Sequence, residues 1–196
     1  PYDANNDGFS ELPLMQNLSA GLTSYYKTGD DAKLSLDFHR IYEYRRGGDN
    51  IYRAPHLALQ AEERTHIIYG GGITYDTPLP FRLAQASIYV SGQSPYRDHY
   101  TGTFGADAYG TTDNTLWVTG LQANFTMPSL FGTGAATITT GAEHSSEYAD
   151  DRIPGYDYHY NSRINLTGIY LQSDWKPDIL TTLLAGLRMD IHSLED

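Results

Sequence analysis

The chain has 196 residues, a net charge of −11, 40% hydrophobic residues, 17 Tyr, 2 Trp and no Cys. The acidity argues against nucleic acid as a partner, because phosphate contacts need a basic face. The missing cysteines exclude a disulfide scaffold, thiol catalysis and a Cys-based zinc site, and no run approaches the roughly 18 consecutive apolar residues of a membrane helix, which excludes helical spans but not spanning strands.

Residues 1–13 are acidic and glycine-containing and read as a loop. Within it, Asp3-Ala4-Asn5-Asn6-Asp7-Gly8-Phe9-Ser10-Glu11 places oxygens at alternate residues ahead of a turn glycine. That is the opening of the EF-hand spacing, which wraps a hard cation. Asp3, Asn5 and Asp7 would ligate calcium by side chain, Phe9 by its carbonyl and Glu11 through water. Leu14 stands where the distal bidentate Glu belongs, so a complete EF-hand is not expected, and an ordinary Asp/Asn/Gly turn is the alternative.

Period-two alternation begins at about residue 16. Leu18, Ala20, Leu22 and Tyr26 alternate with Asn17, Ser19, Gly21 and Thr23. Successive side chains of a strand point to opposite faces, so this segment has one apolar and one polar face. After a turn at 27–31, residues 33–44 repeat the pattern. Leu34, Leu36 and Phe38 are expected to face lipid, and Asp37 and His39 a wet interior. A long connection is expected at 45–64, with one or two helical turns over 56–63. Strands follow at about 65–75 and 84–93, joined by a short turn at 76–80. A second long connection is expected at 94–114. Strands near 117–127 and 136–143 flank a short turn at 128–134, and a third long connection covers 147–163. The last strands are read at 164–175 and 181–191.

Two features separate this pattern from a soluble sandwich, which also alternates with period two. The strands run to about ten residues, above the usual five or six. Short turns also fall at every second connection, as in a membrane barrel and unlike a Greek-key sandwich. The tyrosines and tryptophans then read as interfacial girdles. The expected fold is all-β: an antiparallel transmembrane β-barrel segment of about eight long strands, with short periplasmic turns and long extracellular loops. Asp37, Glu43, Glu143, Arg188 and Asp190 are expected to line its lumen.

Catalysis finds no foothold: there is no Gly-x-Ser-x-Gly elbow, phosphate loop or paired metal-binding histidines. Asp150-Asp151 beside Arg152 reads as a solvated charge cluster.

The segments Gly168-Ile169-Tyr170-Leu171-Gln172-Ser173-Asp174-Trp175-Lys176-Pro177 and Leu184-Ala185-Gly186-Leu187-Arg188-Met189-Asp190 resemble a barrel hairpin of TonB-dependent outer-membrane receptors. In that family a G-x-Y-x-Q-x-x-W strand is followed, after a short turn, by G-x-R-x-D. Tyr42-Glu43-Tyr44-Arg45-Arg46-Gly47-Gly48-Asp49 and Asp151-Arg152-Ile153-Pro154-Gly155-Tyr156 extend the resemblance, especially to receptors of the Bacteroides group. It implies a non-enzymatic receptor in the Gram-negative outer membrane that imports a scarce, bulky ligand (an iron chelate, haem or cobalamin) with energy supplied by the TonB complex. The whole chain, 1–196, would be part of the barrel domain, without plug domain or TonB box. Its partners would be the rest of the barrel, the plug and outer-membrane lipid. Some cobalamin receptors of the family order extracellular loops with calcium, which fits the N-terminal motif. Tyr52-Arg53-Ala54-Pro55-His56 is similar to a short box of haem receptors, but the Asn-Pro-x-Leu partner that follows it there is missing, so haem ligation by His56, His66 or His99 has no further support. Arginine and tyrosine side chains suit a large ligand, and Arg45, Arg46, Tyr52, Arg97, Tyr109, Arg152, Tyr156 and Tyr158 are the expected contacts. The alternatives are a complete eight-stranded barrel for adhesion or anchoring, and a soluble calcium-dependent β-sandwich that binds carbohydrate.

Overall fold

The computed structural model describes residues 1–5, 7–29, 31–79 and 84–195. Asn6, Asp30 and Pro80, which the sequence places in the N-terminal motif and in two turns, lie outside them. Among the described residues, eight strands form one antiparallel sheet in chain order. They are β1 (Phe9–Lys27), β2 (Lys33–Asp49), β3 (Gln60–Pro78), β4 (Ala84–Thr103), β5 (Tyr109–Met127), β6 (Ala135–Ile153), β7 (Tyr158–Lys176) and β8 (Leu183–Glu195). Among these residues β1 pairs only with β2 and β8 only with β7, so the sheet is open with two edges. Single 3-10 turns at Pro55–Leu57 and Pro154–Tyr156 are the helical elements among the described residues.

The strands outrun the alternation that announces them. Much of 45–64, 94–114 and 147–163 is ladder, and the connections left are 50–59, 104–108 and 154–157. Strand pairing satisfies backbone N–H and C=O groups and does not require apolar side chains. Once neighbours are in register the ladder can continue through polar residues, where hydrophobic periodicity has nothing to report. Gly48 marks one strand end. Its φ of +96° is the left-handed region that favours glycine, and a Cβ there would collide with the Gln60 carbonyl.

Register turns eight stripes into one surface, because cross-strand partners share a face. One row reads Tyr26, Leu34, Tyr75, Ile88, Leu121, Ala142, Ile169 and Met189 from β1 to β8. The apolar stripe around this row is exposed on seven of the strands (Leu22 is 69% exposed, Ile88 60% and Leu187 78%) and partly buried on β6, where Ala136 is buried. Its margins differ between the two ends of the sheet. In β1 it runs from Tyr26 up to Leu18, whereas in β8 it starts at Leu183, six residues below the shared row, and stops at Ile191, two above. Both margins therefore slip by six residues across the sheet. Six residues is about 20 Å along a strand, and seven strand spacings about 34 Å across. The stripe is thus a band inclined about 30° to the rows, and about 23 Å tall at right angles to its own edges. Aromatic residues follow both margins: Tyr26, Tyr75, Phe125 and Trp175 toward the turns, and Tyr42, Tyr69, Tyr96 and Trp117 toward the loops.

The opposite face is polar. Asp37 and His39 lie on it, and Leu34, Leu36 and Phe38 on the apolar one, as the alternation requires. Four rings on the polar face lie over a glycine directly across the ladder: His39 over Gly70, Tyr89 over Gly120, His99 over Gly110 and Tyr170 over Gly141. A Cβ at any of these glycines would overlap the ring. The ring covers backbone that a glycine leaves bare.

Candidate functional site

Above the band, the loop-side ends of the strands carry the chemistry. On the apolar-face side, connections 50–59 and 104–108 fold back over the sheet and bury Ala58, Ala61, Tyr100 and Ala108. Arg46 lies beneath them, fully buried. It donates to the Gly47 carbonyl and faces Glu63 at 3.7 Å. Glu63 also accepts the Tyr44 hydroxyl at 2.9 Å, so Arg46 pins the loop and is withdrawn from solvent. Tyr109 packs on Tyr100, with ring centroids 4.8 Å apart, and its hydroxyl is 2.7 Å from His56 Nδ1.

Further along the same side, Asp150 collects donors from two strands. Arg152 gives it Nε at 2.5 Å and Nη2 at 2.7 Å; Tyr148, Asn161 and His159 close around it at 3.2–3.4 Å. The Arg152 hydrogen bonds, helped by His159 and Tyr148, hold the Asp150 carboxyl well below the usual carboxylate range. Asp150 in turn raises Arg152. At the β2 end, the backbone N–H of Leu59, with Asn50, holds Asp49 low.

On the polar face, Arg45 pairs with Glu43 at 2.9 Å. Arg97 donates through Nε and Nη2 to Thr112 Oγ1 at 3.1 and 2.7 Å, and that hydroxyl donates to Asp151 at 2.7 Å. At mid-height, Tyr89 donates to Glu143 at 2.6 Å. Arg188 bridges Glu143 at 3.7 Å and Asp190 at 2.8 Å, which ties β4, β6 and β8 across the intervening strands.

The expected ligand contacts therefore divide. Tyr52, Tyr156 and Tyr158 are exposed at the loop side, Tyr52 at 87%. Arg45 and Arg97 share the polar face. Arg152 and Tyr109 are engaged by neighbours, and Arg46 is structural. Arg45, Arg46, Arg97, Tyr109, Arg152 and Tyr158 stand on strands and not in loops. Sequence reading missed Glu63, Tyr100 and Arg64. Across the ladders Glu63 meets Arg46 and Tyr44, Arg64 faces Arg45 and His99, and Tyr100 lies opposite Glu63, at separations of 17 to 37 residues, and no local spacing encodes them.

β1 starts at Phe9, so residues 9–13, which the sequence reads as loop, are strand, and Phe9 and Glu11 of the motif stand on it. Ahead of and along this strand start the carboxylates cap their own backbone. Asp3 accepts the Gly8 N–H, Asp7 the Phe9 N–H and Glu11 the Ala4 N–H. Asn5 accepts the Asp7 N–H and donates to Asp7 Oδ2. Asp3 Oδ1 is buried without a hydrogen-bond partner among the described residues. Among the described residues, no three His, Asp or Glu side chains are gathered as a metal cluster. Comparison with family models, with curated proteins and with solved structures finds no match to this chain.

Proposed function

We propose that this chain is a wall segment of a TonB-dependent import receptor in the Gram-negative outer membrane. The observation that carries the membrane reading is the inclined apolar band. Its height of about 23 Å and tilt of about 30° approach the roughly 25 Å band and 35–45° tilt of outer-membrane barrels. Aromatic residues border it at both margins, at the level of lipid headgroups. A β-sandwich would cover such a face with a second sheet, and here it is exposed.

The two unpaired edges favour a segment of a larger barrel, since a closed eight-stranded barrel pairs its first strand with its last. On this reading the turns are periplasmic and the strands protrude well beyond the outer leaflet. The polar face looks into the lumen, where Glu143, Arg188 and Asp190 would meet a plug domain. The TonB-dependent part of the proposal rests on the β7–β8 hairpin resemblance. It makes the cargo an iron chelate, haem or cobalamin, taken up without covalent chemistry. Calcium belongs to the reading as a weak ligand of the N-terminal loop, through Asp3, Asn5, Asp7, the Phe9 carbonyl and Glu11. Asp3 Oδ1 favours it, and the Asx bonds that a cation would displace oppose it.

Nitroxide labels at Leu36 and Asp37, read in lipid bilayers, test the orientation. The label at 36 should be relaxed by oxygen and shielded from a water-soluble relaxant, and the label at 37 the reverse. Equal water accessibility at both positions would refute a membrane-spanning sheet.

A further inference from the structure

Three arginines and two histidines that are scattered in the sequence are brought together on the polar face. Arg45 stands directly opposite Arg64, Arg64 opposite His99, and His66 opposite Arg97. Opposed residues have Cβ atoms about 4.5–5.5 Å apart, and like charges there destabilise a sheet. The carboxylates that meet Arg45 and Arg64 do so along the strands, not between them, and Glu43 also stands directly opposite His66. Glu43 reaches Arg45 at 2.9 Å and Glu62 reaches Arg64 at 2.5 Å, each from two residues earlier on its own strand. Arg97 has a hydroxyl partner, Thr112, and no carboxylate among the described residues. Among the described residues Arg64 commits Nη2 alone, to Glu62, and the rest of its fork has no partner there. Among the described residues, His66 Nε2 and His99 Nε2 are buried without hydrogen-bond partners; His99 Nε2 is 3.6 Å from Asp151, beyond hydrogen-bond reach. Tyr42, Ile67 and Tyr96, beside these residues on the other face, mark the loop-side margin of the band.

We infer that Arg45, Arg64, Arg97, His66 and His99 form a binding site for a multiply anionic small molecule bearing carboxylate or phosphate groups. Guanidinium forks match both groups in bidentate geometry, and the two imidazoles supply N–H donors at Nε2. An anion lying across β2, β3 and β4 would relieve the Arg45–Arg64 opposition that Glu43 and Glu62 leave in place. Arg64 is the centre of the site. The inference rests on the receptor reading and narrows it, since the site would lie on the lumenal wall at the extracellular mouth. A neutral sugar would gain nothing from this surface.

The test follows the imidazole nitrogens of His66 and His99 by NMR, with the full chain in detergent micelles. Citrate and pyrophosphate are titrated to about 10 mM, with glucose as the neutral control. Saturable shifts with citrate alone identify a carboxylate site, with pyrophosphate alone a phosphate site, and with both a general anion site. Arg64→Gln should weaken binding about tenfold or more. Arg64→Lys, which keeps the charge and loses the fork, should fall between. Arg163→Gln, on the other face, should bind like the parent. If Arg64→Gln loses its strand signal by circular dichroism, Arg45→Gln replaces it. No shift with either anion, an equal shift with glucose, or unchanged affinity in the folded arginine variant overturns the inference. Lipid-exposed labels at 36 without anion binding would remove this site alone. Anion binding without lipid exposure would remove the membrane reading and leave an anion-binding sheet.

Discussion

Adjacent residues Val90 and Ser91 offer a sharp test of the bilayer reading. Val90 lies on the apolar face, opposite Ile73 and Thr119, and is 51% exposed. On β4 the band extends from Ala84 to Tyr96, which places Val90 at its midpoint. Ser91 sits at the same depth on the polar face, and neither residue anchors a side-chain network. In a membrane, Val90→Arg puts a guanidinium at the bilayer midplane, at a cost of about 2–4 kcal/mol. That is a 30- to 700-fold change in the folding constant, since about 1.4 kcal/mol is tenfold. Ser91→Arg faces a wet lumen and should stay within about 0.5 kcal/mol of the parent. In a water-soluble sheet the order vanishes, because an exposed Val90→Arg is itself a surface substitution of that small size. Reversible urea unfolding of the barrel in lipid vesicles measures both. Costs for the two variants within about 0.5 kcal/mol of each other would refute the argument.

Other consequences follow from particular contacts. Gly120→Ala drives a methyl group into the Tyr89 ring and should cost about 1–3 kcal/mol by the same unfolding assay; with Tyr89→Ala in the background the penalty should largely disappear. The folded carboxyl of Asp150 lies below its ordinary value of 3.8, so its contribution is present above that value and lost as pH falls toward the folded one. The difference in urea midpoint between the parent and Asp150→Asn should therefore be constant above about pH 5 and shrink below pH 4; a difference that widens on acidification would contradict the assignment. Calorimetry with calcium should give weak heat, with a Kd of about 10⁻⁴–10⁻³ M, that Asp7→Ala abolishes; identical traces for the two would leave only the self-capped turn.

The sequence by itself determined the strand count, the face each residue occupies and the antiparallel order, because a strand's side chains alternate strictly and short turns force neighbours to pair. Leu36 and Asp37 could be assigned to opposite faces with no coordinates at all. Strand length was legible only as far as the apolar stripe reached. Beyond Tyr44, or before Thr65, both faces are polar, so the ladder that carries β2 to Asp49 and starts β3 at Gln60 left no periodic signal. The tilt of the band emerged only when register aligned Tyr26 with Met189 across seven ladders. The site shows the same divide. Arg45 and Arg97 stood out as cationic residues, but the burial of Arg46 beneath connections 50–59 and 104–108 depends on how those connections fold back. The juxtaposition of Arg64 with Arg45 and His99 was likewise decided by tertiary structure, because cross-strand register, not spacing along the chain, sets which charges face each other.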